Sequence, residues 1–308
     1  MSGIDNLRGV HRFATAAACC TVLLLMAGAL VTSNDAADSV PDWPLAYGKI
    51  IPPLVGGIRY EFAHRVIAGF VAILTLALAI WLNRSDTRAW ARRLGWTALA
   101  LVVAQALLGA FRVLEGHAAL SATAHAILAQ IFFITVVSLS LFTSSWWQFD
   151  VPPLKDSGSP GLRSLAAWTT GAIFAQLILG AAFRHGAFGI GPHLFGAGIV
   201  TVMVVWTGRT AKKRFARIPA IRRSVTWLHA TFGTQVLLGG AAYWAIFASR
   251  EASQPGLTYV ILSVAHVLVG ALTLAASVIL TLVSFRLIGS AEHSAARRTP
   301  AQSEAVTR

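Results

Sequence analysis

Charge is what this sequence has least of. Only 12% of its 308 residues are charged, with 12 acids against 25 bases, while 56% are hydrophobic. With a mean hydropathy of +0.66, that shortage excludes an ordinary soluble domain and leaves an integral membrane protein. Cysteine is nearly missing as well. Cys19 and Cys20 are adjacent inside one apolar run, which excludes a disulfide framework and reads as two small lipid-compatible side chains. No stretch alternates polar and apolar residues with a period of two, so barrel strands are excluded. A chain that must satisfy its backbone in hydrocarbon is then helical.

What is present is a series of long apolar runs. A bilayer core of roughly 30 Å takes about 20 apolar residues per helix, and eight runs qualify: Phe13–Ser33, Phe62–Leu82, Leu94–Phe111, Leu120–Ser144, Leu165–Phe183, His193–Gly208, Val225–Phe247 and Leu257–Phe285. The third and sixth are the short ones. The first ends in "VTSNDAADSVPDWP" without a clear small-residue cleavage site, so it is expected to stay with the protein rather than leave as a signal peptide. Eight spans put both termini on one side, and 19 of the 25 Lys and Arg residues fall on that side. By the positive-inside rule it is the cytoplasm of a cell membrane. The net charge of +13 is therefore topological, with lipid phosphates rather than nucleic acid as its neighbours.

The longest polar interval between runs, "QFDVPPLKDSGSPGLR", is a natural linker. The expected organisation is an N-terminal four-helix unit over 1–147, a cytoplasmic linker over 148–163, a C-terminal four-helix unit over 164–289 and a disordered tail over 290–308. The halves echo one another. Gln105-Ala-Leu-Leu108-Gly109-Ala110, Gln176-Leu-Ile-Leu179-Gly180-Ala181 and Gln235-Val-Leu-Leu238-Gly239-Gly240 recur in spans three, five and seven, and Met26-Ala-Gly28-Ala29 is a looser version in span one. Small residues there permit close helix packing. As a repeat, they point to two pseudo-symmetric bundles.

The even-numbered spans carry histidines instead. His64, His125, His193 and His266 are each followed four residues later by a small residue, Ala68, Ala129, Ala197 or Gly270, on the same helical face. Such a gap suits something flat and wide beside an imidazole. At 1.5 Å per residue all four should lie within about 10 Å of the external end. One alternative is interhelical hydrogen bonding alone; another is two metal cofactors, each gripped from above and below by paired imidazoles. Zinc fits less well, because three or four nearby ligands are not evident. His229 reads as a polar helix end near the cytoplasmic face, His117 and His185 as external-loop residues, and His11 and His293 as surface.

The halves differ at one point. Where the first has Glu61-Phe-Ala-His64-Arg65, the second has Ile190-Gly-Pro-His193-Leu194. A carboxylate near hydrocarbon is costly unless it is paired or useful, so Glu61 points to proton handling in the first unit only. The alternative is a local i,i+4 ion pair with Arg65.

These residues resemble the heme A synthases. The match rests on Gly28-Ala-Leu-Val-Thr-Ser33, Pro41-Asp-Trp-Pro44 with Tyr47-Gly48, Glu61-Phe-Ala-His64-Arg65, and His125, His193 and His266, and it extends from about residue 8 to 285. The resemblance implies an oxidoreductase that converts a ring methyl of heme O to a formyl group, giving heme A for terminal oxidases. It implies that His64 and His125 flank the substrate heme O, that His193 and His266 ligate a heme b, that Glu61 assists proton transfer or stabilises developing positive charge, and that Arg65 orients Glu61 or binds a propionate. Heme O synthase, terminal oxidase assembly factors, an electron acceptor and further copies of the chain are the partners it implies. A di-heme electron carrier would need the same histidine pairs but gives no reason for Glu61. A transporter would need a polar pathway, and span two offers only Thr75 and Trp81 beyond residue 66. Many relatives carry a cysteine pair in the first external loop; residues 34–59 here contain none. Trp43 in that loop is either a cover for the substrate or an interfacial anchor.

Overall fold

The computed structural model describes residues 3–37, 39–115, 119–149, 151–248 and 254–289. Among them it is all-helical: α1 (Gly3–Ser33), α2 (Ile58–Ser85), α3 (Ala89–Glu115), α4 (Ala119–Thr143), a one-turn α5 (Ser145–Gln148), α6 (Leu162–Arg184), α7 (Gly191–Phe215), α8 (Pro219–Ala248) and α9 (Leu257–Leu287). Seven are long and apolar enough to cross a membrane, which makes this a multi-pass all-α membrane protein. The exceptions are α5 and α8, whose apolar stretch is diluted by Thr226, His229, Thr231, Thr234 and Gln235. His117, His293 and the expected tail over 290–308 lie outside the described residues.

The helices close into two rings of neighbours. Packing runs α1 to α2 to α3 to α4 and back to α1, and separately α6 to α7 to α8 to α9 and back to α6. The first ring is filled by Val10, Ala14, Leu24, Val71, Leu78, Val102, Phe132 and Leu139. The second is filled by Leu162, Ile173, Val204, Phe215, Ile221, Leu228, Leu274 and Leu280. Between the rings, Ala29 packs on Val260 and Val264, and Phe133 on Ala271 and Ala275. Hydroxyls inside the spans find acceptors locally, since water cannot serve them. Thr75 donates to Val71 O at 2.7 Å, and Thr169 meets Thr207 across α6 and α7 at 2.7 Å. At the far end of the first ring, His11 places Nδ1 2.9 Å from Ser140 O. The expectation of a plain surface residue is thereby corrected: His11 is half-buried and pins α1 to α4.

The interval after α5 is fastened at several points. Asp156 accepts from Gly158 N and Leu162 N at 3.1 and 2.6 Å, capping α6, and pairs with Arg214 of α7 at 3.2 Å. Leu154 N donates to Leu287 O at 2.7 Å, and Gly289 N to Leu154 O at 3.0 Å. These contacts tie the interval to the ends of α7 and α9.

Candidate functional site

Each of the four repeated histidines lies against a glycine of the preceding long helix. A Cβ built on Gly28 would stand 3.1 Å from His64 Cε1; on Gly109, 3.2 Å from His125 Cε1; on Gly180, 2.9 Å from His193 Cε1; on Gly239, 3.0 Å from His266 Cε1. Any larger residue would push the ring aside. The glycines of the Gln-x-x-Leu-Gly repeat are thus imidazole seats as well as packing residues. That function was hidden in sequence, because a glycine announces close approach without saying what approaches.

His193 and His266 face one another with ring centres 6.3 Å apart and planes at 86°. Imidazole nitrogens bond a metal such as zinc at about 2.0–2.1 Å, and one ion shared by two rings brings their centres to roughly 6 Å. His64 and His125 are electrostatic neighbours of each other and of Arg112. Nδ1 of His64, His125 and His266 is buried and makes no hydrogen bond, an arrangement that in a native interior calls for an explanation. His193 Nδ1 lies 3.0 Å from Gln176 Nε2. Among the described residues no group of three or more His, Cys, Asp or Glu side chains gathers around a common point.

At one of the four positions the small residue four after the histidine has a different use from the one expected: in α9, Gly270 does not leave a gap for a flat ligand, since a Cβ there would come 3.1 Å from Gln235 Nε2 of α8. In α7, Gly196, the residue before Ala197, receives Gln176. The other histidines divide. His229 donates from Nδ1 to Val225 O of its own helix, 2.8 Å away, and packs on Gly208. His185, just past α6, is half-buried. Burial first, then Arg184 and Arg112, hold it down to about 4, so it is neutral at physiological pH.

Glu61 is 5% exposed, and both its oxygens are engaged. Oε1 accepts from Arg65 at 2.6 Å and Oε2 from Val40 N at 3.0 Å. The i,i+4 ion pair therefore exists, but it is part of something larger. Arg65 also donates to Asp42 O at 2.7 Å, Leu45 O at 3.0 Å and Val40 O at 3.3 Å. One guanidinium thus fastens the loop between α1 and α2 onto the first turns of α2. Within the loop, the Asp42 carboxylate accepts from Tyr47 N and Gly48 N at 2.6 and 2.8 Å. Tyr47, in left-handed backbone at φ 55°, is held there by these bonds and by its hydroxyl on Ser39 O at 2.8 Å. The loop buries Val40 and Ala46 but turns other apolar side chains outward, with Trp43 at 42% and Ile50 at 82% exposed.

A lysine keeps the charge of Arg65 but not its fork of donors. Arg65→Lys is therefore expected to loosen the loop and speed tryptic cleavage at exposed Lys49; cleavage at the native rate would contradict the clamp. The Gly48 N–H, chiefly, holds Asp42 below the usual carboxylate range. A depressed carboxylate contributes stability above its unfolded pKa and loses it as pH falls through the folded one. Protection of the loop should accordingly be flat from about pH 8 to 5 and fade only in stronger acid.

Residues 58–291 match the model of a family described as cytochrome oxidase assembly protein. A protein of Lysinibacillus sphaericus named heme A synthase is 32% identical over 189 residues, which cover 59% of this chain and 60% of that one. One of that name from Symbiobacterium thermophilum is 29% identical over 71% of this chain and 81% of its own. Another, from Halalkalibacterium halodurans, is 33% identical over 43% of this chain and 44% of its own. The chain thus spans less than two thirds of the Lysinibacillus and Halalkalibacterium proteins. With the family match running from the first residue of α2 to beyond the end of α9, the chain belongs to the cytochrome oxidase assembly protein family.

Proposed function

We propose that this protein is a heme A synthase, an oxidoreductase that converts a ring methyl of heme O to a formyl group and supplies heme A for terminal oxidase assembly. The observation that carries the reading is the pair of imidazoles on His193 and His266, with ring centres 6.3 Å apart and planes nearly perpendicular, on glycine seats that recur under His64 and His125. These residues fit a bis-histidine heme, with two neighbouring rings at that separation and a buried His266 Nδ1 that lacks a partner. His193 and His266 would hold a heme b, which when bound supplies one-electron redox chemistry. His64 and His125 would flank the substrate, heme O. Replacing methyl by formyl takes one oxygen atom, with water as the balanced source, and releases four protons with four electrons. Two hydroxylations and loss of water from the hydrated aldehyde give that outcome. Glu61, one turn from His64, is the group that would hold or pass a proton there, and Arg65 orients its carboxylate.

The architecture that goes with this function is eight transmembrane helices in two pseudo-symmetric units, 1–147 and 164–289, joined by a cytoplasmic linker over 148–163. Both termini are then in the cytoplasm of a cell with the protein in its cytoplasmic membrane. Support for including α8 comes from its 30 residues, about 45 Å of helix, and from its packing along α9. Handover of a lipid-soluble substrate and product makes heme O synthase and oxidase assembly factors fitting neighbours.

Expression with a supply of heme O, followed by extraction of hemes, tests the activity. Heme A should accumulate; bis-histidine spectra with unaltered heme would mean an electron carrier instead. Since residues 34–59 contain no cysteine, activity should survive a thiol-blocking reagent in full. A loss of activity that is relieved when both Cys19 and Cys20 are replaced by serine would contradict a mechanism free of thiol chemistry.

A further inference from the structure

Three of the four histidines have a glutamine neighbour that the fourth lacks, and in two of the three it reaches the ring. Four residues before the glycine seat, α3 carries Gln105, α6 carries Gln176 and α8 carries Gln235; at that position α1 carries Leu24. Residues four apart lie on one helical face, so each glutamine points at the helix whose histidine the glycine seats. Gln105 Nε2 donates to His125 O at 3.0 Å. Gln176 Nε2 donates to His193 O at 2.8 Å and lies against the ring at Nδ1. Gln235 Nε2 stands 3.3 Å from His266 Nε2 and packs on Gly270. Each amide ties a histidine-bearing turn, by backbone, ring or both, to its neighbour in surroundings where water offers no substitute. Leu24 instead sits in the apolar core beside Val71. Facing α1, the His64 turn has the Leu24 backbone carbonyl within reach of its ring and no side-chain amide; its unpartnered Nδ1 is shared with His125 and His266 and does not set it apart.

We infer that Gln105, Gln176 and Gln235 are positioning residues that hold three histidine-bearing turns, and that His64, on the one turn without such a tie, is the releasable ligand of the site. The inference rests on the heme reading above and deepens it. Both locked rings of the C-terminal unit suit a resident heme. The unlocked ring belongs to the unit that carries Glu61, where a substrate must enter and a product must leave. Release breaks only the bond between iron and imidazole nitrogen and leaves the ring on its Gly28 seat.

The test uses the full chain loaded with heme and reduced, with carbon monoxide as the external ligand and apomyoglobin as the acceptor of released heme. The unaltered protein should bind carbon monoxide at the heme of the His64 unit and lose that heme faster than the other. Leu24→Gln should slow both processes about 10- to 100-fold, the range for partners one shell beyond a metal ligand, while Leu24→Met, similar in size but without an amide, should match the native protein. Should Leu24→Gln not fold, Gln105→Leu recreates the unlocked state at His125 and should raise heme loss by a similar factor. Unchanged rates in these variants, or carbon monoxide binding that survives Leu24→Gln in full, would overturn the inference. A chain that takes up no heme at all would instead remove the reading beneath it.

Discussion

Alanine at His266 is expected to empty the C-terminal unit of its heme, with absorbance per protein falling by about half, and alanine at His193 is expected to do the same. Neither ring has a substitute: among the described residues no third histidine, cysteine or carboxylate gathers with the pair. The seats make this a sharp result. Gly180 and Gly239 seat the two rings so closely that an added Cβ would stand about 3 Å from them, and alanine leaves that seat without an imidazole to hold. An isosteric glutamine in place of His266 should fare no better, since its amide cannot supply an imidazole's nitrogen lone pair. Equal loss in the two variants, with the second pigment retained, is the expected pattern. Retention of both pigments in either variant would mean that the two rings do not share an iron.

The second large effect belongs to Glu61. Glu61→Ala removes the carboxylate one turn before His64 and is expected to lower heme A formation by about 10²–10⁴-fold, the usual contribution of a positioned acid or base. It also leaves Arg65, with its side chain 16% exposed, and Val40 N without their acceptor. Breaking a buried pair in this way costs about 3–5 kcal/mol, so the alanine variant mixes chemistry with loss of the loop. Glu61→Gln separates them. An amide oxygen still accepts from Arg65 but does not carry a proton at neutral pH, so the loop should remain resistant to trypsin at Lys49 while heme A formation stays low. Full activity in the glutamine variant would show that Glu61 serves only to hold the loop.

Hydropathy revealed the spans but not their ends. The run expected over His193–Gly208 is the core of a 25-residue helix that continues through Lys212, Lys213 and Arg214 in its last turn, where cations complement the helix dipole. The run over Leu94–Phe111 likewise sits inside a 27-residue helix. Apolarity marks the stretch that lies in hydrocarbon, whereas a helix ends where capping and packing stop it. The four histidines were legible because imidazoles in apolar helices are rare and these recur with one spacing. The glycines beneath them were visible as a motif but not as seats. The hold of Arg65 on the loop had no signature at all. Three of its acceptors are backbone carbonyls, 20 to 25 residues away in sequence, and any residue provides a carbonyl. His11 escaped for the same reason, since its contact is the carbonyl of Ser140.

Low-temperature electron paramagnetic resonance of the oxidised, heme-loaded protein tests the central claim most directly. Two imidazoles on one ferric iron give a low-spin signal, and the 86° between the His193 and His266 planes predicts a strongly anisotropic one that disappears in His193→Ala and His266→Ala alike. A high-spin ferric signal from that unit in the native protein, or survival of that strongly anisotropic low-spin signal in either variant, would contradict the pairing on which the account stands.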